Sequence, residues 1–310
     1  MQVTNTVLMV KPCSFTFNTQ TAENNAFQEE GYSLNAQEHA LKEFNDYVKT
    51  LTEAGVNVIV VDDTPDPHTP DSIFPNNWFS THSAKELELP KGEASTLVLY
   101  PMNAPNRRLE RDKNVLKELK KVKNIGKIID LTYFEEEGKF LEGTGSMILD
   151  RENKIAYCCA SPRTNEDVLE EWAEKLDYNY FLFDAQDENG TPIYHTNVMM
   201  CIGTRYAFVC LDAITDLDSR EHLIELLEEN GKEIIEISFT QMSNFAGNML
   251  VVENKLHQPM LVLSKTAYNI LDDWQLDIIH KHYKTIISPD LEYIEKNGGG
   301  SARCMLAEIY

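Results

Sequence analysis

The stretch Gly145 to Ala185, GSMILDRENKIAYCCASPRTNEDVLEEWAEKLDYNYFLFDA, decides the fold. GSMILD and KIAYCC are short apolar runs that read as two strands, NEDVLEEWAEKL as an amphipathic helix, and YNYFLFDA as a third strand. The order strand, strand, helix, strand then recurs on both sides. Downstream, NVMMCI, YAFVCL, SREHLIELLEE and KEIIEIS repeat it, followed by NMLVVE, MLVLS, a helix around Ala267 to Leu276, and YKTIIS. Upstream, short strands around Trp78 to Thr81 and Ser95 to Tyr100 precede a helix within Leu109 to Leu119 and a strand near Ile128 to Leu131. The first unit has a strand at Thr6 to Val10, a helix near Glu38 to Glu53 and the strand Val56 to Val61; the terminal RCMLAEI supplies the strand it lacks.

Five such units predict a closed α/β ring, a pseudo-fivefold propeller of ββαβ modules in which neighbours cover apolar faces that none buries alone. An ordinary mixed α/β sheet with the same alternation is the competing reading. With 310 residues and 42% hydrophobic composition, the chain can bury a large core, and residues 1–310 are read as one domain. No strand leads into a GxGxxG turn, and there is no GxxxxGK[ST] loop or GxSxG elbow to anchor a dinucleotide, phosphate-loop or serine hydrolase reading.

Asp and Glu total 50 against 28 Lys and Arg, for a net charge of -22. That balance and the lack of a basic stripe exclude nucleic acid as the expected partner, and the apolar runs are too short to cross a bilayer. The amino terminus reads as a strand rather than an export signal, so a cytoplasmic location is expected. The six cysteines form no CxxC pair and no zinc-like spacing with histidine, so neither a metal nor another cofactor is expected. Cys158, Cys159 and Cys210 sit in apolar strand runs as space-filling thiols, whereas Cys304 follows three glycines and an arginine.

Polar segments gather where the units begin: PDSIFPNNWFSTH (Pro70 to His82), LEGTGS (Leu141 to Ser146), YHTN (Tyr194 to Asn197), NFAGN (Asn244 to Asn248) and GGGSARC (Gly298 to Cys304). A ring would bring all five to its axis. There Cys304 can serve as a thiolate nucleophile if His195 takes its proton and Glu142 orients the imidazole. Each has an ordinary alternative: a buried strand thiol, a satisfied polar histidine, and an acid before a turn. In an extended backbone, His195 and Asn197 would point to one face.

In their order and separation, EGTG, HTN and GGGSARC resemble the motifs of the guanidine-modifying enzyme superfamily, the pentein or amidinotransferase fold, over nearly the whole chain. The resemblance implies the fivefold propeller and assigns the family acid, histidine and nucleophile to Glu142, His195 and Cys304. KPCSFTFN, PDSIFPNN and HTN look most like the citrulline-utilisation (citrulline ureidase-like) branch. Arginine-directed members grip the guanidinium with two carboxylates; the matching residues here are Asn77 and Asn197. An amide offers a donor and an acceptor, which suits a neutral ureido group, so citrulline is the expected substrate and ornithine, ammonia and carbon dioxide the products. Arg163 resembles the family arginine that binds the substrate's polar tail, although a surface ion pair would explain it equally. Asp71 is assigned to substrate nitrogen or amino groups, or else to a plain turn, and Asn76 and Phe74 complete the expected pocket. An arginine deiminase or dimethylarginine hydrolase, and a silent binding protein on the same fold, are the alternatives. A homodimer is the expected assembly.

Overall fold

The computed structural model describes residues 2–29, 35–90, 92–112 and 114–310. Among these residues the strands form five three-stranded sheets. In the stretch quoted first, Met147–Asp150 pairs antiparallel with Ile155–Cys159, which pairs parallel with Asn179–Phe183. Between them runs the helix Glu166–Leu176. Its start is fixed by Asn165, whose side chain accepts the Asp167 N–H at 3.0 Å, and its end by Asp177 in the left-handed region (φ 56). Val168, Leu169, Trp172, Ala173 and Leu176 fall on one face of that helix and are buried. Each of the larger ones contributes about 2 kcal/mol by leaving water.

The other units repeat the arrangement. Phe79–His82, Ser95–Leu99 and Ile125–Asp130 form one sheet; Met200–Ile202, Tyr206–Val209 and Glu233–Glu236 another; Leu250–Glu253, Pro259–Val262 and Ile286–Ile287 a third. In the remaining sheet Thr6–Lys11 pairs parallel with Asn57–Asp62 and antiparallel with Ala307–Glu308, so the end of the chain completes the first unit as expected. The fold is the pseudo-fivefold ββαβ propeller.

Three local expectations are corrected. The helix placed within Leu109 to Leu119 is a 3-10 turn at Leu109–Asp112 followed by a helix at Val115–Val122. The helix around Ala267 to Leu276 is two, Lys265–Ile270 and Asp273–His282, because Asp272 starts the second with a capping box to Gln275. The unit starts are turns rather than strand: Gly143–Ser146 and Thr196–Met199 each form one helical turn, and in RCMLAEI only Ala307–Glu308 is strand. His195 and Asn197 therefore do not share a face through extended backbone; His195 is extended, and Asn197 lies inside the turn it leads.

Those turns touch in succession around the axis. The Asn76 amide donates to Thr144 Oγ1 at 3.3 Å, Thr196 Oγ1 donates to the Ser146 carbonyl at 2.5 Å, Asn248 Nδ2 to the Asn197 carbonyl at 3.0 Å, and the Arg303 N–H to Asn248 Oδ1 at 3.0 Å. The last joint is made by Tyr310, whose N–H reaches Thr81 Oγ1 at 2.8 Å. Gly143 permits one of these contacts, since its φ is +49 and a Cβ there would lie 2.5 Å from the Asn76 carbonyl. No helix among the described residues is long and apolar enough to cross a membrane.

Candidate active site

Glu142, His195 and Cys304, drawn from three different units, are all buried at the axis. Glu142 sits immediately before the Gly143–Ser146 turn, and its own N–H is held by Ser146 Oγ at 3.0 Å. Its carboxylate meets His195 Nε2 at 2.9 Å through Oε2 and the Asn103 N–H at 2.9 Å through Oε1. Arg163 NH1 lies 3.5 Å from Oε2. Burial raises the Glu142 carboxyl, but Arg163, His195 and Arg107 outweigh it and hold the group at about 2. Burial also lowers His195, and the pull of Glu142 in the other direction is only partial, leaving the imidazole at about 4. The imidazole is therefore neutral near pH 7, with its Nε2 proton donated to the carboxylate and Nδ1 left with a lone pair.

Cys304 does not lie in a strand; its N–H closes a turn onto the Ser301 carbonyl at 3.0 Å. The sulfur accepts from Asn197 Nδ2 at 3.4 Å and Asn248 Nδ2 at 3.2 Å. Among the described residues no hydrogen bond joins it to His195.

Asn77 is oriented by Arg107, which donates to its Oδ1 at 2.7 Å. A guanidinium has only donors, so the amide cannot be reversed, and Asn77 Nδ2 is left buried with no partner. Asn197 is the complement: its Nδ2 faces the sulfur and its Oδ1 is the unpartnered atom. Arg107 is itself completely engaged, with Glu110 at 2.8 Å and the Phe74 carbonyl at 2.9 Å. Asp71 accepts from Asn18 at 2.7 Å and Thr21 at 3.0 Å through Oδ2, while Oδ1 is free of partners. Burial raises its carboxyl, against the pull of Arg107.

A cavity of about 20 Å³ joins these groups, lined by Asp71, Phe74, Asn77, Arg107, Arg163, Tyr194, His195, Cys304 and Gly298 to Gly300. That is room for one water, not an amino acid. The cavity is roofed by residues 18–29 and the glycine run: Arg163 NH2 holds the Thr21 carbonyl at 2.9 Å, Tyr194 OH the Gly299 carbonyl at 2.7 Å, and Gln28 the Asn297 carbonyl at 3.1 Å. A substrate of amino-acid size has to part these contacts.

Of the residues singled out in the sequence, Cys304, His195, Asn77, Asp71, Arg163 and Phe74 line the cavity, while Glu142 lies behind it on His195 and Asn197 on the sulfur. Asn76 turns its amide to Thr144 and does not line the cavity. Arg163 is a buried residue against Glu142, not a surface ion pair. Two residues went unselected. Arg107, in PNRR, looks like any surface cation, and only its spacing of three from Glu110 hints at a buried pair. Asn248 closes the NFAGN segment at the start of the fifth unit, and that position was its signal.

Gly145 lies beneath both Asn77 and His195; a Cβ there would be 2.8 Å from Nδ1 and Cε1 of His195 and closer still to Asn77 Nδ2. Gly145→Ala is expected to displace both side chains and reduce turnover about a hundredfold while the protein still melts cooperatively. Product formation within twofold of wild type would show that these two positions tolerate the shift.

A family model described as N,N dimethylarginine dimethylhydrolase, eukaryotic, matches residues 11–310. No curated protein matches the chain. Among solved structures, the arginine dihydrolase ArgZ from the ornithine-ammonia cycle in cyanobacteria superposes with a TM-score of 0.74 at 17% identity, covering 97% of this chain but 40% of that one. Its N-terminal domain, as a cysteine-to-serine variant bound to substrate, gives 0.74 at 16% identity over 98% of this chain and 97% of the domain. The enzyme abbreviated DDAH from Pseudomonas aeruginosa, complexed with citrulline, gives 0.66 at 14% identity over 99% of this chain and 100% of that one. At such identities the likeness is one of fold.

Proposed function

Since this chain belongs to the eukaryotic N,N-dimethylarginine dimethylhydrolase family, we propose that it is a cysteine-dependent hydrolase of a linear guanidino or ureido amino acid, with citrulline as its substrate and ornithine, ammonia and carbon dioxide as its products. One observation carries the choice of citrulline: Asn77, which lines the cavity, leaves a donor unpartnered, Nδ2, and Asn197, whose Nδ2 reaches the sulfur, leaves an acceptor unpartnered, Oδ1. A ureido group presents one oxygen that needs a donor and an NH₂ that needs an acceptor. A guanidinium presents only N–H groups and would leave Asn77 Nδ2 facing another donor, an arrangement that costs about 1–3 kcal/mol when buried.

In this reading the thiol proton of Cys304 passes to His195 Nδ1 and the sulfur attacks the ureido carbon. Asn77 holds the oxygen as charge develops on it. The imidazolium, steadied by Glu142, returns the proton to the departing nitrogen and then draws a proton from one water that cleaves the thiol-bound intermediate. Citrulline plus one water balances ornithine, ammonia and carbon dioxide in either order of nitrogen departure. Asp71, with its free oxygen, receives the substrate's ammonium, and Arg163, once the roof residues release it, its carboxylate.

A second reading takes arginine or a methylated arginine as substrate. It is favoured by the description of the family model and by the free carboxylate oxygen of Asp71, which could face a guanidinium instead. Supplying the protein separately with citrulline, arginine and dimethylarginine, and measuring ornithine, citrulline and ammonia, separates the two. Ornithine from citrulline supports the first; citrulline accumulating from either arginine compound, with citrulline itself inert, overturns it in favour of the second.

A further inference from the structure

We infer that Asn248 is a catalytic residue that, with Asn197, donates amide N–H bonds to the Cys304 sulfur and stabilises the negative charge it takes on as its proton passes to His195. The inference rests on the reading of Cys304 as nucleophile. The Asn248 amide is fixed by three contacts at once: Oδ1 accepts the Arg303 N–H at 3.0 Å, and Nδ2 donates to the Asn197 carbonyl at 3.0 Å and to Cys304 Sγ at 3.2 Å. Turning it over would set its oxygen against both a carbonyl and the sulfur, and its N–H groups against the Arg303 N–H. Its NH₂ therefore faces the sulfur permanently, and Asn197 adds a second donor at 3.4 Å. Donors aimed at an atom favour its charged form, and they do so more strongly where water is excluded.

The need for them follows from what else surrounds the sulfur. His195 is engaged with Glu142, and burial keeps it neutral near pH 7, so it offers no standing cation. The phenols of Tyr47 and Tyr194 are pushed up by burial and carry no charge. The Arg303 side chain turns away to the Leu306 carbonyl and to Glu308. A neutral ureido substrate brings no positive charge of its own. Of the other charged groups at the cavity, Arg107 is turned to Glu110 and Arg163 to Glu142 and the Thr21 carbonyl, and the Asp71 carboxyl accepts from Asn18 and Thr21; among the described residues the two amides are the side-chain donors that hydrogen-bond the sulfur.

The test is alkylation of the thiol by iodoacetamide as a function of pH, resolved by peptide mass spectrometry, in wild type, Asn248→Asp and Asn248→Ala. In this reaction the sulfur bonds to the reagent's carbon, iodide leaves and the thiol proton passes to water. Asn248→Asp keeps the acceptor for the Arg303 N–H but turns a carboxylate to the sulfur in place of the donor, and Asn248→Ala removes the donor without adding a charge. Both variants are expected to label Cys304 about tenfold more slowly at neutral pH, with the rate curve displaced to higher pH, while labelling of the half-buried Cys13 is unchanged. An Asn248→Asp curve that overlays wild type would overturn the inference and leave Asn248 a positioning residue. Since alkylation consumes no substrate, a displaced curve in a protein inert towards citrulline would sink the substrate reading alone.

Discussion

Cys304→Ser is expected to reduce turnover by at least about a thousandfold while leaving the fold and substrate binding intact. Serine fills nearly the same space in the turn closed by the Ser301 carbonyl, so the backbone contact at 3.0 Å survives. A hydroxyl, however, gives up its proton far less readily than a thiol. The base that faces the same cavity, His195, is tied to Glu142 and made a weak one by burial. The attacking group is thus lost and the pocket is kept. Steady-state product release together with calorimetric binding of citrulline checks this: binding without turnover is the expected pair of results. Turnover within tenfold of wild type would remove Cys304 from the chemistry and return the fold to a different nucleophile or to simple binding.

Glu142→Gln should cost about a hundredfold to ten thousandfold in kcat/KM. The amide is isosteric, but it replaces a buried anion that accepts from His195, Arg163 and Asn103. An NH₂ turned to His195 would force the proton onto Nδ1, where the reaction needs a lone pair. Turned the other way, it would set donors against the Asn103 N–H. Either orientation also strands Arg163 without its counter-charge. The same substitution carries a stability signature with a definite sign. The folded carboxyl sits at about 2 against an ordinary 4.5, so its contribution is fully present above pH 4.5 and is lost as pH falls towards 2. The wild-type melting temperature should therefore drop more steeply across that window than that of Glu142→Gln. Equal slopes together with unimpaired catalysis would show that the pairing of Glu142 with Arg163 and His195 does not form.

The fivefold architecture was legible because each unit states its own periodicity, and the quoted stretch from Gly145 states it most clearly. Position at a unit start, combined with residue type, was enough to single out Cys304, His195 and Glu142. What stayed hidden was the conformation of the starts themselves. GTGS and TNVM continue into apolar strands without a break in pattern, so nothing in the hydrophobic order marks them as helical turns; contacts between neighbouring units, such as Thr196 Oγ1 to the Ser146 carbonyl, impose that shape. The separate courses of Asn76 and Asn77 were hidden for the same reason, because the 3-10 turn at Pro75–Asn77 leaves one amide on Thr144 and the other on Arg107. Arg107 escaped notice because an arginine's burial depends on partners distant in sequence, here Asn77 and the Phe74 carbonyl.

The pairing of Thr6–Lys11 with Ala307–Glu308 has a consequence for the order in which the molecule can come into being. The strand Thr6–Lys11 must wait, with one edge open, for partners some three hundred residues further along the chain. Cys304 lies only three residues before those partners, and the Arg303 N–H beside it makes the joint to Asn248. Cys304 and this seam therefore arrive together. A nascent chain whose last seam is still open has neither a finished ring nor a buried sulfur, and loop closure over so long a separation gains its return only when the rest is already in place. Closing the ring and burying Cys304 are in this respect one event.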